Sequence, residues 1–236
     1  MIELNADIGE GCDDASLMPF LNRVSIASGG HAGDAASMAA ALRLAAEFGV
    51  MVGAHPSYPD RAGFGRRTLA ASAEEVFSWV RQQTDALAEE SLRLGLRLAH
   101  VKPHGALYND AAGNPELAQA IAEAVAGHDP KLVLIGLADS CLISAGRAAG
   151  LGVLNEAFAD RRYHGNGLLV SRETDGALIT DPLAAVEQAL ALALGQPVSA
   201  LGEERAQVRA DTICLHSDTP NALKMAAAVH AALNRR

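Results

Sequence analysis

The sequence predicts an α/β fold closed into a (β/α) TIM-like barrel of about seven parallel strands, and three observations carry that expectation. Short, continuous apolar runs alternate with longer Ala-rich amphipathic segments along the chain, the pattern of βαβ units feeding a mostly parallel sheet. Seven such runs occur, and no glycine-rich nucleotide fingerprint follows the first, which favours a barrel over an open doubly wound sheet. A length of 236 residues suits one such unit, and no repeat, linker or low-complexity tract divides it, so residues 1–236 are read as a single barrel domain.

The expected strands are Ile2–Asn5, Val24–Ala27, Val50–Ala54, Leu96–Val101, Leu132–Leu137, Val153–Ala157 and Thr212–Leu215, short and mainly apolar runs as buried parallel strands read. Helix punctuation separates them. Asp34 is placed to cap a helix through Met38, Leu42 and Ala45 that Gly49 stops. Ser72 and Glu75 form a capping box ahead of Val76, Val80, Leu87 and Leu94, and Gly95 ends that run. Asn114-Pro115, Asp181-Pro182 and Thr219-Pro220 each read as a cap followed by proline in the first turn. The one long non-helical insertion, Asp160 to Asp181, contains Asn166-Gly167 between apolar neighbours, a hairpin turn. It is either a lid over the strand ends or a surface excursion.

Composition removes several function classes. A net charge of −9 with no basic block argues against nucleic acid and against an acidic membrane surface. The apolar stretch Leu183–Leu194 is broken by Glu187 and Gln188, so no segment is expected to span a bilayer. Glu3, Asp7 and Glu10 near the start are unlike a signal peptide. Cys12, Cys141 and Cys214 are odd in number and widely spaced, as for reduced thiols in a cytoplasmic protein. There is no GxxxxGK[ST], no GxGxxG opening a helix, no GxSxG and no CxxC pair, so neither a Walker loop nor a serine-hydrolase elbow is expected.

The chemistry collects by position. In parallel α/β folds ligands bind at the carboxyl ends of strands. Here the first strand delivers Asn5, Asp7 and Glu10, the second His31 and Asp34, and the third His55. The fourth delivers Lys102 and His104, the sixth Asp160 and Arg161, and the last His216 and Asp218. Six of the eight histidines lie at or just after an expected strand end, and only His128 and His230 do not. These strand ends, carrying histidine, acid or lysine together, point to an enzyme-type site rather than to scattered structural residues. Lys102 is one of three lysines in a chain that otherwise uses arginine, and a buried ammonium offers an oxyanion a compact charge that guanidinium does not.

Each cluster has a plainer reading beside it. Asp7 and Glu10 serve as helix caps, or lie in a tight Gly9/Gly11 loop that a ligand approaches. His31, on the bare Ser28-Gly29-Gly30 turn, reads equally as ligand, base or backbone-bonded ring. His55 is held extended by Pro56, with its ring directed to the barrel mouth. Arg66 and Arg67, in the Gly63–Arg67 loop, suit a carboxylate or phosphate, or are simply exposed. Asp7, His31 and His55 together make a possible site for a divalent metal, but no HxxxH or HExxH spacing supports it and the metal-free reading is preferred.

The motifs in order resemble one family. Leu4-Asn5-Ala6-Asp7-Ile8-Gly9-Glu10-Gly11 resembles the opening of the LamB/YcsF family, whose members form one component of bacterial ATP-dependent 5-oxoprolinase. The same family is matched by Gly30-His31-Ala32-Gly33-Asp34, Gly53-Ala54-His55-Pro56 and Gly63-Phe64-Gly65-Arg66-Arg67. The longest match is His100-Val101-Lys102-Pro103-His104-Gly105-Ala106-Leu107-Tyr108-Asn109, followed by Phe158-Ala159-Asp160-Arg161 and Cys214-Leu215-His216-Ser217-Asp218-Thr219-Pro220. Departures are small: Ala27-Ser28-Gly29-Gly30 lacks an expected cysteine and a bulkier residue, Ser217 replaces a usual glycine, and Gly11 to Arg23 is short. They bear on pocket shape.

The resemblance implies a distorted (β/α) barrel similar to that of carbohydrate deacetylases. It implies opening of 5-oxoproline to L-glutamate coupled to hydrolysis of ATP, and two partners, subunits B and C; a divalent metal, either magnesium with the ATP or an ion in the site, is a possible further cofactor. The expected site comprises Asp7, His55, Lys102 and His104 as catalytic groups. Asn5, Glu10, His31, Arg66, Arg67, Asp160, Arg161 and His216 are the expected substrate-binding groups. Lys102 takes the electrostatic role, His104 or Asp7 the acid–base role, and Arg66, Arg67 or Arg161 the carboxylate or phosphate. Two other readings stay open: a stand-alone metal-dependent hydrolase of amides or N-acetyl sugars, and a lactam-binding subunit without chemistry of its own.

Overall fold

The structure, a computed structural model, describes residues 2–202 and 205–235. Seven parallel strands close into a barrel in the order β1-β2-β3-β4-β5-β6-β9, all expected from the sequence: β1 Glu3–Ile8, β2 Arg23–Ala27, β3 Met51–His55, β4 His100–Val101, β5 Val133–Leu137, β6 Gly152–Phe158 and β9 Thr212–Cys214. Closure is made by β9, whose Thr212 and Cys214 lie opposite Glu156 and Phe158 on one side and Glu3 and Asn5 on the other. Two strands depart most from the expected bounds, and both differences matter for the site. β1 runs three residues further, so Asp7 is a strand residue rather than a loop residue. β4 keeps only its last two residues, and the Leu96 amide bonds Ser91 O instead of a neighbouring strand.

The helices wrap the barrel: α1 Asp14–Leu17, α2 Ala35–Phe48, α3 Ala73–Arg93, α4 Gly105–Gly113, α5 Pro115–His128, α6 Cys141–Ala148, α7 Pro182–Ala193 and α8 Ala222–Asn234. Asp34 and Ser72 complete capping boxes, while the side chains of Asn114 and Asp181 accept from the first-turn amides of α5 and α7. Each such cap is worth about 1 kcal/mol to its helix. The expected cap at Thr219 is not one. α8 starts two residues later, behind Asn221, and the Thr219 hydroxyl instead donates to Asp160 Oδ2 at 2.7 Å. A buried carboxylate at the barrel end takes the hydroxyl that the helix would have used.

The core is a single cluster in which Val76, Val80 and Leu87 of α3 and Ile121 and Val125 of α5 meet strand residues such as Ile26, Leu134 and Ile213. Truncating Leu87 to alanine there would cost about 3 kcal/mol through lost burial and a residual cavity. The insertion folds back as the hairpin expected around Asn166-Gly167: Tyr163 bridges Leu169 antiparallel, and the Gly167 amide bonds His164 O. A short antiparallel pair, β7 Val198–Ser199 and β8 Arg205–Ala206, lies outside the barrel and was not expected. No described helix is long and apolar enough to cross a membrane.

Candidate active site

Since all seven strands are parallel, their carboxyl ends share one mouth, and a cavity of about 450 Å³ opens there. Of the residues expected from the sequence, Asp7, Glu10, His55, Arg66, Lys102, His104, Arg161 and His216 line it. Asn5, His31 and Asp160 stand directly behind that lining. Asn5 accepts from Lys102 Nζ at 3.1 Å, His31 reaches Glu10 Oε1 at 2.7 Å, and Asp160 holds His216 Nδ1 at 3.0 Å. Arg67 is the exception. Its guanidinium bonds Asp60 at 2.6 and 3.0 Å away from the cavity, because adjacent residues of the loop face opposite sides.

Lys102 sits one residue beyond β4, and its ammonium is 2 % exposed. Nζ lies 2.6 Å from Asp7 Oδ1, 3.0 Å from Glu156 Oε1 and 3.5 Å from Cys214 Sγ. Burial alone would lower the ammonium, but Asp7 and Glu156 raise it well above its ordinary value, so Lys102 remains a cation. The same contact acts on Asp7. Burial works to raise its carboxyl, while His55 and Lys102 hold it well below the usual carboxylate range. An acid so stabilised as the anion is a poor base, which moves the acid–base role away from Asp7.

Three imidazoles, His31, His55 and His104, gather on the other wall. His31 and His104 stack with centroids 3.6 Å apart, and His55 stands edge-on to both. Burial, then the neighbouring His55, lowers His31 to about 3 and His104 well below its ordinary value, so both rings are neutral. The loop after β3 locks this wall. Phe64 has φ 55° and Gly65 φ 64°; a Cβ at Gly65 would stand 2.9 Å from His31 Cβ and 3.0 Å from a His104 ring carbon. An aromatic residue in the left-handed region is strained, and here the Phe64 carbonyl it presents accepts His104 Nε2–H at 2.9 Å.

The third wall joins β6, β9 and the insertion. His216 stacks on Phe158, with Asp160 behind it. Burial works to raise Asp160; the His216 ring, and bonds from His216 and Thr219, outweigh it and bring the carboxyl down to about 2. An ionised carboxylate therefore accepts His216 Nδ1–H and fixes the orientation of the ring. Arg161 is 5 % exposed, with Nη2 on Val170 O at 2.6 Å, Nε unpartnered, and no carboxylate within ion-pair distance among the described residues. Burial lowers it to about 10, which leaves it charged. At the rim Arg66 and Arg172 both reach Asp218, at 2.5 and 3.3 Å, tying three segments across the mouth.

Glu156, Tyr108, Arg172 and Glu173 also line the cavity and were not among the expected site residues, and His164, counted among the strand-end histidines, lines it from the insertion. Glu156 had left a signal, an acid inside the apolar run Val153–Ala157. His100, counted among the strand-end histidines, belongs to the opposite end of β4, where its ring bonds Arg23 and Ser25 in the barrel interior.

The chain is similar to known proteins over nearly its whole length. A Chloroflexus aggregans protein, named as the first of the lettered subunits of 5-oxoprolinase, is 49 % identical over 97 % of this chain and 93 % of its own length. A crystal structure of a lactam utilization protein from Thermus thermophilus superposes with a TM-score of 0.92 at 43 % identity, covering 99 % of this chain and 96 % of that one. A family 4 carbohydrate esterase from Streptomyces lividans, at 16 % identity, covers 99 % of this chain and 88 % of its own with a TM-score of 0.50, and shares the fold alone. The LamB/YcsF profile matches residues 2–236, and the chain belongs to the LamB/YcsF family.

Proposed function

We propose that this chain is the lactam-opening component of an ATP-dependent 5-oxoprolinase, acting in the cytoplasm with partner subunits B and C. The observation that carries the reading is a pair of buried cations on one cavity, the ammonium of Lys102 and the unpaired guanidinium of Arg161. A buried charge without a partner costs several kcal/mol, so Arg161 calls for an anion in the cavity. Glycerol-like or sugar substrates do not supply one; a lactam acid does.

The lactam is a weakly electrophilic amide, and phosphorylation of its oxygen by ATP converts it into an activated imidate. Water then adds at the ring carbon and the ring nitrogen leaves as an amine, taking a proton. The resulting acyl phosphate reacts with a second water to give glutamate and phosphate. Lys102 stabilises negative charge growing on the oxygen of the reacting carbon. Arg161, with Arg66 and Arg172 released from Asp218, anchors carboxylate or phosphoryl oxygens. His216, oriented by Asp160, accepts the proton from water and returns it to the leaving nitrogen. Asp7 and Glu156 position Lys102.

The test is glutamate release from 5-oxoproline by this chain alone and with co-expressed subunits B and C, each with and without ATP. Release only in the complete mixture with ATP is expected. Hydrolysis of simple amides or N-acetyl sugars by the chain alone, without ATP, would instead establish the stand-alone hydrolase, a reading favoured by the histidine wall.

A further inference from the structure

The histidine wall contains an arrangement that the lactam chemistry above does not use. His55 Nδ1 lies 2.7 Å from Lys102 O, and His104 Nε2 lies 2.9 Å from Phe64 O. A carbonyl only accepts, so each of those nitrogens carries the ring's hydrogen. The remaining nitrogens, His55 Nε2 and His104 Nδ1, face each other at 3.0 Å, and with both rings neutral each presents a lone pair. Around them stand two carboxylate oxygens: Glu10 Oε1 at 3.3 Å from His104 and 3.8 Å from His55, and Asp7 Oδ2 at 3.3 Å from His55. With both rings neutral, these electron-rich atoms converge with no hydrogen between them, and a bound cation would take the place of a His55 proton shared with Asp7. Donor atoms of Glu10, His31, His55 and His104 all fall within 4.8 Å of one another.

We propose that Glu10, His55 and His104 bind one divalent transition-metal ion, with His31 holding Glu10 in place through its 2.7 Å contact. Two metal–nitrogen bonds of about 2.05 Å at the tetrahedral angle put the nitrogens about 3.3 Å apart, and the observed edges of 3.0, 3.3 and 3.8 Å bracket that value. Backbone carbonyls fix the tautomer of both rings, the outer support that ligating histidines require. Imidazole donors select zinc, iron(II) or cobalt over magnesium and calcium. All three ligands line the cavity, so the open coordination position faces substrate, where a bound ion supplies Lewis acidity.

The second convergent group, Asp7, Cys214 and His216, does not need a metal, because the Lys102 ammonium lies 2.6 Å from Asp7 and 3.5 Å from Cys214. The ligand set also differs from the Asp7, His31 and His55 considered from the sequence: Glu10 and His104 enter, and Asp7 turns one oxygen to the lysine.

The chain, purified without chelators, is analysed for metal by plasma mass spectrometry, then stripped and titrated with Co²⁺ alone while the visible absorption is followed. About one equivalent of zinc, iron, cobalt or manganese is expected, with ligand-field bands on Co²⁺ addition. His104→Ala and Glu10→Gln should weaken Co²⁺ by more than about 100-fold, while His216→Ala binds as wild type. Circular dichroism and the milder His104→Gln keep loss of ligand apart from loss of fold. A wild-type chain that holds no metal and binds Co²⁺ no better than His104→Ala overturns the site, as does imidazole ¹⁵N NMR showing a shared proton between the two rings. Metal content is read without turnover, so this result is independent of whether 5-oxoproline is the substrate.

Discussion

His100 and His104 belong to one ten-residue motif, yet the barrel uses them at opposite ends. His104 lines the cavity, donates to a strained loop carbonyl and confronts another imidazole. His100 is fully buried at the amino end of β4, with Arg23 Nη1 at 3.3 Å and Ser25 Oγ at 3.2 Å, and Arg23 pairs in turn with Glu3 at 2.9 Å. Gly53 lies opposite His100 in the ladder, and a Cβ there would overlap the ring. One end of the barrel satisfies its polar groups among themselves; the other leaves lone pairs, Arg161 and a charged lysine open to a cavity. What separates stability from chemistry is the completeness of pairing rather than residue type.

Breaking the open end at Lys102 gives the largest expected effect. Lys102→Met should lower 5-oxoproline turnover by about 100- to 1,000-fold, since a preorganised charge at the developing oxyanion is lost. The same change strands Asp7 and Glu156, costing about 3–5 kcal/mol, so Lys102→Arg serves as the folded control. It keeps the charge but not the compact geometry, and should also be slow; turnover near wild type in Lys102→Arg would remove the lysine from the chemistry.

At the closed end the pattern reverses. His100→Ala should lose about 2–3 kcal/mol in urea unfolding, from lost packing and the lost contacts to Arg23 and Ser25, with kcat unchanged per folded molecule. A drop in kcat without loss of stability would erase the distinction between the two ends.

The arginines sharpen it further. Arg161→Ala should raise KM for the lactam acid about 10- to 100-fold with less change in kcat, as expected for a lost charge-assisted bond to substrate. Arg67→Ala should alter neither constant, since its partner Asp60 lies outside the cavity. Equal effects from both would show that the guanidinium groups act through net charge alone.

The smallest effect is a pH dependence. Asp160 titrates near 3.8 when unfolded and at about 2 when folded. Its contribution is therefore complete above pH 3.8 and lost as pH falls toward 2, and amounts to about 2 kcal/mol. Asp160→Asn should unfold with a shallower slope between about pH 4 and pH 2 in acid titrations of the urea midpoint; an identical slope would mean that His216 does not hold the carboxylate.

Much of this was legible along the chain. Caps at Asp34, Ser72, Asn114 and Asp181 read directly, because a cap is decided by residues about three positions apart. Glu156 and Tyr108 did not read as site residues, because an acid in a buried strand and an aromatic residue in α4 declare their direction only after the barrel closes. Arg66 and Arg67 are chemically alike and adjacent, so spacing had no means to divide them. Thr219 looked like a cap because the competing acceptor, Asp160, is 59 residues away.

Alternating apolar runs, local caps and ordered motifs determined the barrel, its strand positions and the family, since those depend on period and on near neighbours along the chain. Tertiary structure alone decided which oxygens and nitrogens face one another: Lys102 with Asp7 and Glu156, His55 with His104, Arg161 with no ion-paired carboxylate among the described residues. Those pairings join residues from strands on every side of the mouth, and charge, tautomer and ligand affinity follow from distances that closure creates.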